Sequence, residues 1–488
     1  MSRLDLLNEQ VRRIFDYQDI KVADWVTARE GVDHNVLIVG GGQSGLSLAF
    51  ALARAGIGKV SVVDAHAKGQ AGIWKRTARM RTLRTLKTLV GPDIGLTALS
   101  FPSWYEAVHG EGAFQDVARI PRLEWDAYLQ WFAERTQIDV RHGVRVVGVE
   151  PAGDALRVHL DIDGTPAVEI TRKLVLASGI DSLGGAFIPP IISGSLPQSL
   201  YRHTSEEIDY KALAGKKVGV IGAASSAFDA AAEALEAGAE AVHVLSRRAE
   251  VPALSILRQR GYPGVADRFH LLPDALRWTL VNTVLRAGSP PPADSITRAT
   301  VFPNFHLHLG AELTDVSVND GRIQARVNDE AFTFDFVIAG TGFVQRPATA
   351  PALSAIADDI ALWRDRYTPP AGEENEALLD YPYLGTGFEF TEKEPGTAPY
   401  VGSIFCYTNA AQLSFGRLIG DIPTIKWGIP HLANAIGDSL FFEDQQDHVR
   451  RITAPVAAPD FTRDVYASSV WNNRASAASE DKEQLAVT

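Results

Sequence analysis

Residues 36–64 read VLIVGGGQSGLSLAFALARAGIGKVSVVD, and this stretch decides the fold of the chain. The apolar run at 36–39 is typical of a short buried strand. It is followed by the spacing G-x-G-x-x-G, which is formed by Gly40, Gly42 and Gly45. A segment with helical apolar periodicity comes next, and a second apolar run, 60–63, ends on Asp64. The order strand, glycine turn, helix, strand and acid predicts a βαβ unit.

Each position of this pattern has a physical reason in a nucleotide-binding unit. The first glycine allows the tight turn, the second lets the backbone approach a pyrophosphate, and the third lets helix and strand pack closely. Phosphates lie at the positive N-terminus of the helix, and the terminal acid accepts a hydrogen bond from a ribose hydroxyl. The stretch therefore predicts a dinucleotide site, and the alternative is a glycine-rich turn in another kind of α/β unit.

The bulk composition narrows the class of protein. The chain has 488 residues, which suggests two or three domains. Its net charge of −12 argues against a nucleic-acid partner. Cys406 is the only cysteine, so the sequence excludes an intramolecular disulfide, a CxxC redox pair, a cysteine-rich metal site and the dithiol flavoenzymes. We expect a cytoplasmic protein, because the N-terminus lacks the apolar core of a signal peptide and no apolar run is long enough to span a membrane.

A second copy of the opening pattern occupies residues 217–248. The strand-type run KVGVI is followed by Gly222 at the first glycine position, while alanine holds the second and third positions, at Ala224 and Ala227. Alanine is common at the third position, but at the second it adds a methyl group where backbone meets phosphate. The strand after the helix ends in Arg247 and Arg248 rather than in an acid. Arginine there can pair with a 2′-phosphate, which favours NADP(H) over NAD(H); the alternative is a surface arginine pair.

The sequence thus predicts an α/β fold with two Rossmann-like dinucleotide-binding domains. Two strand-type runs that end in small-residue turns, LVLASG at 174–179 and VIAGTG at 337–342, flank the second unit. This symmetry predicts that the second domain is inserted into the first, which the chain leaves and re-enters through paired strands. The predicted segments are a helical lead-in (1–30), the first domain (31–185 and 333–471), the inserted domain (186–332) and a disordered tail (472–488).

Charged residues outside the two glycine turns have more than one interpretation. A basic run follows the first unit, with side chains at Arg76, Arg79, Arg81, Arg84 and Lys87. It is either a solvated face or a rim that holds phosphates or an acidic substrate. His306 and His308 share one strand face, but without a third ligand two histidines are more typical of structural residues, so we predict no metal site.

The chain resembles the class B flavoprotein monooxygenases over residues 34 to about 440. The resemblance rests on an acid-ended unit, an arginine-ended unit and, between them, a GxxGxW-like loop with Gly69, Gly72 and Trp74. It implies that the first domain holds FAD through Gly40, Gly42, Ser44, Gly45, Asp64, Gly72 and Trp74. It implies that the inserted domain holds NADPH through Gly222, Ser225, Ser226, Arg247 and Arg248. The turn at 339–343 resembles the ATG-type turn of this family, which adds Thr341 and Gly342 to the cofactor-binding candidates.

This family includes flavin-containing, N-hydroxylating and Baeyer–Villiger monooxygenases. His203 stands where the Baeyer–Villiger fingerprint has its histidine, but Ser199 and Glu207 replace the glycine and the aromatic residue of that fingerprint. The resemblance therefore implies an NADPH-dependent FAD monooxygenase. It would transfer one oxygen atom from O2, through a peroxyflavin, to nitrogen or sulfur of a small organic substrate rather than by Baeyer–Villiger insertion. No catalytic residue is assigned, and the candidates are His203, Arg81 and Thr341.

Two other functions and one further element stay open at this stage. The chain could be an NADPH:flavin oxidoreductase without oxygen transfer, or a non-catalytic FAD-binding redox sensor. Substrate, oligomeric state and the oxygenated atom are not readable from the residues. Near the end of the chain, Gly420 and Asp421 precede Pro430, which is predicted to open a helix. That helix N-terminus would either face the flavin ring or belong to an ordinary packed helix.

Overall fold

The computed structural model describes residues 1–18, 20, 22–180, 182–259, 261–455 and 458–471. The chain forms two compact units, Met1–Leu440 and Phe441–Thr488. The tail 472–488, which the sequence predicts to be disordered, lies outside the described residues. In the described part of the chain, no helix is long and apolar enough to cross a membrane.

The strands of the described residues are β1 (His34–Val39), β2 (Val60–Asp64), β3 (Val140–His142), β4 (Val144–Ala152), β5 (Ala155–Ile162), β6 (Thr165–Leu176), β7 (Tyr201–His203), β8 (Lys217–Ile221), β9 (Ala241–Ser246), β10 (Phe305–Leu309), β11 (Leu313–Asn319), β12 (Arg322–Val327), β13 (Glu330–Phe334), β14 (Phe336–Ala339) and β15 (Ile404–Cys406).

The helices are α1 (Arg3–Tyr17), α2 (Gln43–Arg54), α3 (Phe101–His109), α4 (Arg122–Thr136), α5 (Pro190–Ser193), α6 (Ser225–Glu236), α7 (Ile256–Gln259), α8 (Pro263–Arg268), α9 (Asp274–Ala287), α10 (Ala293–Thr300), α11 (Trp363–Arg366), α12 (Glu376–Leu379), α13 (Gln412–Phe415), α14 (Ile422–Glu443), α15 (Gln445–Thr453) and α16 (Asp464–Ala467).

The first sheet has the order β3-β2-β1-β6-β5-β4, with β15 also paired to β6. β1 lies between β2 and β6 and pairs parallel with both, so its apolar run is buried on both faces. The first half of β6 pairs antiparallel with β5, and its last residues pair parallel with β15. One long strand thereby joins a parallel nucleotide-binding half to an antiparallel hairpin.

The second sheet has the order β10-β9-β8-β14-β7 and is parallel throughout. β14, the strand of VIAGTG, pairs with β8 and β7 and therefore belongs to this sheet. The expectation that this strand returns the chain to the first domain is wrong, because the strand that returns to the first sheet is β15. LVLASG and VIAGTG are instead equivalent strands of the two units, each paired to the strand that precedes a glycine turn.

The chain does cross between the two sheets through neighbouring segments, 183–187 and 342–346. Phe187 N–H donates to the Gly342 carbonyl (2.9 Å), and Val344 N–H donates to the Gly185 carbonyl (3.0 Å). The second sheet is thus an insertion between β6 and β15 of the first. A three-stranded antiparallel sheet, β11-β12-β13, lies within the same insertion.

The lead-in helix α1 begins with a capping box between Ser2 and Asp5, and its Leu7 and Val11 pack into a core shared with α2 and α4. Late in the chain, α14 begins at Ile422 rather than at Pro430, which lies inside the helix. The proline signal therefore placed the start of α14 eight residues too late. In the second compact unit, the Phe441 ring stacks on His448 at 4.3 Å.

Candidate cofactor and substrate site

The protein's own packing requires glycine at two positions of the first turn. Gly40 has φ +113°, and a Cβ there would lie 2.6 Å from the Ala177 carbonyl oxygen. A Cβ on Gly45 would lie only 1.9 Å from the Gly40 carbonyl oxygen. These two glycines make the turn and the close helix contact that the sequence pattern predicts.

Gly42 is different, because nothing in the protein excludes a side chain there. It is the N-cap residue of α2, with φ −78° and ψ −170°, which any residue can adopt. The nearest atom to a Cβ at Gly42 is the Gly72 Cα, at 3.6 Å. The turn containing Gly72 and the buried Trp74 therefore lies directly over the N-terminus of α2. This leaves a space beside unpaired helix N–H groups, which is the cradle that phosphates need.

Asp64 ends β2 beside this turn, as predicted. Its Oδ2 accepts from the Gly41 N–H (2.8 Å), and its Oδ1 accepts from the His66 N–H (2.9 Å). The side chain is buried and the two hydrogen bonds fix its orientation. Each carboxylate oxygen can accept a further hydrogen bond, so the geometry permits the predicted contact with a ribose hydroxyl.

A second helix N-terminus converges on the same place. Gln43 Nε2 donates to the Gly420 carbonyl (2.8 Å), and Gln43 Oε1 accepts from the Trp125 indole N–H (3.1 Å). Ser44 Oγ also lies 3.4 Å from the Gly420 carbonyl oxygen. Asp421 follows at the start of α14, and its Oδ1 is buried without a hydrogen-bond partner in the described part of the chain. Burial raises the pKa of Asp421 to about 6.

The sequence pointed to the pair Gly420-Asp421 but did not include Asp421 among the cofactor-binding candidates. A buried carboxylate oxygen without a donor is costly, so a hydroxyl from a bound molecule would stabilise it. Two helix N-termini, a backbone cradle at Gly42 and this acceptor together match the phosphate and polyol parts of a flavin dinucleotide. The residues present therefore fit FAD.

The second turn repeats the geometry of the first. Gly222 has φ +108°, and a Cβ there would lie 2.4 Å from the Gly340 carbonyl oxygen. Its N–H donates to the Leu245 carbonyl (2.8 Å), as the Gly40 N–H donates to the Val63 carbonyl (2.7 Å). Ala224 is the N-cap residue of α6, the position that Gly42 holds in the first unit.

Some side chains around the second turn are exposed to solvent, and one is held by hydrogen bonds within the protein. Ser225 opens α6 partly exposed, and Ser226 is exposed. The guanidinium of Arg248 donates to the Arg286 carbonyl (3.0 Å), at the C-terminal end of α9. Arg247 is exposed and makes no hydrogen bond or ion pair with the described residues. The arginine pair is therefore split: Arg248 holds a helix end, and Arg247 is available for a phosphate.

Neither His203 nor Thr341 projects freely into a cleft. His203 ends β7, is fully buried, packs against the Phe343 ring (5.2 Å) and accepts from the Ser205 N–H (3.1 Å) at Nδ1. Thr341 Oγ1 donates to the Phe187 carbonyl in the crossover between the sheets. The Gly342 carbonyl is used in the same crossover. These three residues position the turn beside Gly222 rather than offer free side chains to a ligand.

The basic run contacts the second unit, an arrangement that neither expectation described. Arg81 pairs with Glu236 (2.8 Å), and Arg84 pairs with Asp229 (2.5 Å), both on α6. The remaining cations of the run are engaged too: Arg76 with Glu207, Arg79 with the Thr204 and Glu206 carbonyls, and Lys87 with the Phe114 and Gln115 carbonyls. Arg81, a catalytic candidate, is thereby engaged in an ion pair between the loop after the first nucleotide-binding unit and helix α6 of the second.

An aromatic cavity that sequence reasoning missed lies beside the first turns of α14, and its volume of ≈ 10 Å³ has room for about one water molecule at most. The rings of Phe388 and Phe415 stack at 3.7 Å, and Trp427 and His431 complete the wall. Phe388 has φ +75°, which is strained for a bulky residue and is typical of functional sites. Arg417 also lines this cavity, and its guanidinium makes no hydrogen bond or ion pair with the part of the chain described.

His270 lies in the same wall, 4.7 Å from His431 between ring centres. Burial lowers the pKa of His270 to about 4, so this ring is neutral at pH 7. Nε2 of His431 donates to the Thr386 carbonyl (2.6 Å). Arg417 is therefore the one fixed positive charge among the residues that line this cavity, where Asp267 is an acid.

The two histidines of β10 do have a third imidazole beside them, from β9. His243 stacks on His306 (4.6 Å), and its Nδ1 lies 3.0 Å from His308 Nε2. Burial, and then the neighbouring imidazoles, lower the pKa of His243 to about 4. Among the residues described, no group of three or more His, Cys, Asp or Glu side chains could hold a metal ion.

The sequence of this chain is similar to a known protein family and to a flavin-dependent hydroxylase. Residues 37–257 match a family model described as pyridine nucleotide-disulphide oxidoreductase. The chain is 38% identical over 427 residues to the FAD-dependent urate hydroxylase of Xanthomonas campestris, covering 86% of this chain and 90% of that protein.

Solved structures show the same fold. The reduced ornithine hydroxylase of Pseudomonas aeruginosa matches with a TM-score of 0.66 and 19% identity, covering 84% of this chain and all of that one. The L-lysine 6-monooxygenase of Pseudomonas syringae matches with a TM-score of 0.65 and 17% identity, covering 83% and 99%. A disulfide cannot form within this chain, because Cys406 is its only cysteine, and that thiol is buried.

Proposed function

The chain belongs to the class B flavoprotein monooxygenases, and we propose that it uses FAD and NADPH to hydroxylate urate or a closely related anionic purine. The observation that carries the proposal is the 38% identity to a FAD-dependent urate hydroxylase over 90% of that protein's length. Two glycine turns of equivalent geometry support a pair of dinucleotide cofactors. The same proposal places the enzyme in the cytoplasm, where NADPH is available.

FAD would lie along the first turn. Its phosphates would occupy the cradle at Gly42, its ribose would bind Asp64, and the buried Oδ1 of Asp421 would accept from a polyol hydroxyl. The N-terminus of α14 would stabilise negative charge on the reduced flavin. Bound FAD would supply the activation of O2, with one oxygen atom going to the substrate and the other to water at the expense of NADPH.

NADPH would lie along the second turn, with Arg247 at its 2′-phosphate. Ala224 puts a methyl group at the phosphate cradle, so the backbone would approach this cofactor less closely than it approaches FAD. That difference suits a cofactor that must leave after each turnover. Domain boundaries follow from the same proposal: the FAD domain spans both sides of an NADPH domain that lies between the crossover segments 183–187 and 342–346.

The aromatic cavity beside α14 would hold the substrate after its rings move apart, because its volume of ≈ 10 Å³ is far smaller than a purine. A purine is planar, so it can stack on aromatic rings, and an anionic one can pair with the free guanidinium of Arg417. The walls of Phe388, Phe415 and Trp427 would also exclude water from the reaction. Hydroxylation remains preferred over Baeyer–Villiger insertion, because Ser199 and Glu207 replace two residues of that fingerprint.

The test is the stoichiometry of NADPH, urate and O2 with the purified flavoprotein. Urate should accelerate NADPH oxidation, and ¹⁸O from ¹⁸O2 should appear in the product. Arg417→Gln should raise the KM for urate about tenfold or more with an unchanged KM for NADPH, since a charge-assisted hydrogen bond contributes about 1.5–3 kcal/mol. The control Arg12→Gln removes the same charge from an exposed site on α1 and should change neither KM.

Three outcomes would contradict the proposal at different levels. Coupled turnover with an amine or a thiol but with no purine would overturn the proposed substrate and leave the cofactors and the reaction type in place. NADPH oxidation with full release of hydrogen peroxide, whatever purine is added, would favour the oxidoreductase without oxygen transfer. A purified chain that binds no flavin would refute the cofactor assignment itself.

A further inference from the structure

A cavity of ≈ 460 Å³ lies between the loop after Trp74 and the segment that follows β7. Its size is within the range of small-molecule sites. It is lined by Gln70, Lys75, Arg76, Ala78, Arg79, Arg122, Glu207, Ile208, Tyr210 and Glu233. This set shares no residue with either glycine turn or with α14, but Gln70 and Lys75 flank Gly72 and Trp74, so the cavity borders the proposed FAD site.

Two arginines in this cavity have backbone carbonyls as partners rather than carboxylates. The Arg79 guanidinium donates to the Thr204 and Glu206 carbonyls, and Arg122 donates to the Trp74 carbonyl. Carbonyl oxygens fix the position of a guanidinium but carry no net charge to neutralise it. Both side chains are thus oriented in advance, and each still has N–H groups for a ligand.

Both acids of the cavity are already in ion pairs, one with a cation outside the lining and one with a cation within it. Glu233 binds Arg298, and Glu207 binds Arg76 (3.4 Å). Outside the lining, Asp126 pairs with Lys75 (2.7 Å). The lining carries four cations and two acids, so its net charge is +2.

Tyr210 adds a neutral donor. Its hydroxyl is buried and has no acceptor for its proton among the residues described; its neighbour Arg79, 5.3 Å from the ring centre, has only donors. Burial raises the pKa of Tyr210, so the hydroxyl stays protonated at neutral pH. An oxygen atom of a bound anion would accept this hydrogen bond.

We propose that this cavity is a binding site for a small dianion with oxygen acceptors, such as inorganic phosphate or a dicarboxylate. Arg79 and Arg122 come from the FAD-binding part of the chain, whereas Tyr210 comes from the insertion. A ligand that contacts all three therefore ties the two parts together. Its binding also raises the stability of the folded enzyme, since it binds only the native state.

The experiment is isothermal titration calorimetry of the flavin-loaded enzyme with phosphate and, separately, with succinate, at an ionic strength held constant with NaCl. We expect saturable binding of one anion per chain and a higher melting temperature. Tyr210→Phe keeps the ring contact with Arg79 and removes only the hydroxyl, so it should weaken binding about fivefold to tenfold. Arg122→Gln should weaken it by more than tenfold, with flavin content measured in parallel to verify folding.

The matched control is Arg81→Gln, which removes a charge from the same loop but outside the cavity, where Arg81 pairs with Glu236. It should bind the anion like the parent enzyme. Tighter binding of phosphate or of succinate would identify the source of the ligand and support the site. Three results would overturn the proposal: no saturable binding at constant ionic strength, equal losses in Arg81→Gln and Tyr210→Phe, or displacement of the anion by urate. The last result would make the cavity the substrate site.

Discussion

Substitution of alanine at two glycines of the first turn should separate folding from cofactor binding. A methyl group at Gly45 would lie 1.9 Å from the Gly40 carbonyl oxygen, far inside any contact distance, so the backbone must move. We expect Gly45→Ala to cost about 3 kcal/mol or more of stability. A methyl group at Gly42 meets nothing closer than 3.6 Å, and its φ of −78° suits alanine. Gly42→Ala should cost about 1 kcal/mol or less, as a weaker N-cap.

The same methyl group of Gly42→Ala occupies the cradle where the pyrophosphate would lie. If overpacking there costs 1–3 kcal/mol of binding free energy, FAD should bind about 5- to 150-fold more weakly. The assay compares urea midpoints of the flavin-free proteins and FAD dissociation constants from flavin fluorescence. Ala224→Gly performs the reverse experiment in the second turn and should lower the dissociation constant for NADPH.

The reasoning fails if Gly42→Ala binds FAD as tightly as the parent chain. The cradle at Gly42 would then not be the phosphate site, whatever the sequence pattern indicates. It also fails if the flavin-free Gly42→Ala and Gly45→Ala proteins lose stability equally, because the two glycines would then share one structural role.

Three further predictions rest on single side chains. Arg247→Ala should raise the KM for NADPH about tenfold or more and the KM for NADH far less, whereas Arg248→Ala should mainly lower the melting temperature. Equal effects on both cofactors would refute the 2′-phosphate contact. Asp421→Ala should weaken FAD binding about tenfold without loss of flavin-free stability, measured by flavin titration and urea unfolding. Burial lowers the pKa of His243 from 6.5 to about 4, so the ring is neutral in the folded state. The free energy of unfolding should therefore be highest above pH 6.5 and should fall between pH 6.5 and 4, by about 1–2 kcal/mol after allowance for partial exposure. His243→Phe should flatten that pH dependence, measured as the urea midpoint.

The nucleotide units were predictable because their requirements are local. A turn with positive φ at Gly40 or Gly222, a close helix contact and a charged strand end are all decided within about 30 residues. The sheet in which a strand pairs is decided instead by residues far away in the sequence. VIAG and LVLA have the same apolar pattern, and only pairing with β8 or β1 distinguishes them. The sequence therefore predicted the insertion but assigned its last strand to the wrong sheet.

The role of the basic run was not predictable from the run itself. Its arginines meet acids more than 100 residues away, as in the pairs Arg84–Asp229 and Arg81–Glu236. A signal existed in α6, where Asp229, Glu233 and Glu236 recur at helical spacing and so form one acidic stripe. An acidic stripe on a helix that also carries a nucleotide turn suggests a basic partner elsewhere in the chain.

These pairings decide which cations remain for anionic ligands. An arginine already bound to a carboxylate must lose that partner before it can bind a phosphate or a substrate, and the abandoned carboxylate then opposes binding. Arg81 and Arg84 are excluded on this ground, although the sequence made them attractive. Arg247 and Arg417 form no hydrogen bond or ion pair in the described part of the chain, although the charge of Arg417 acts on the carboxyl of Asp421 and offsets part of the rise that burial causes in its pKa. Arg247 lies at the end of a nucleotide-binding strand, and Arg417 lies beside an aromatic cavity. Arg79 and Arg122 also have backbone carbonyls as partners rather than carboxylates, so positive charge that no carboxylate neutralises lines the cavity after Trp74 as well.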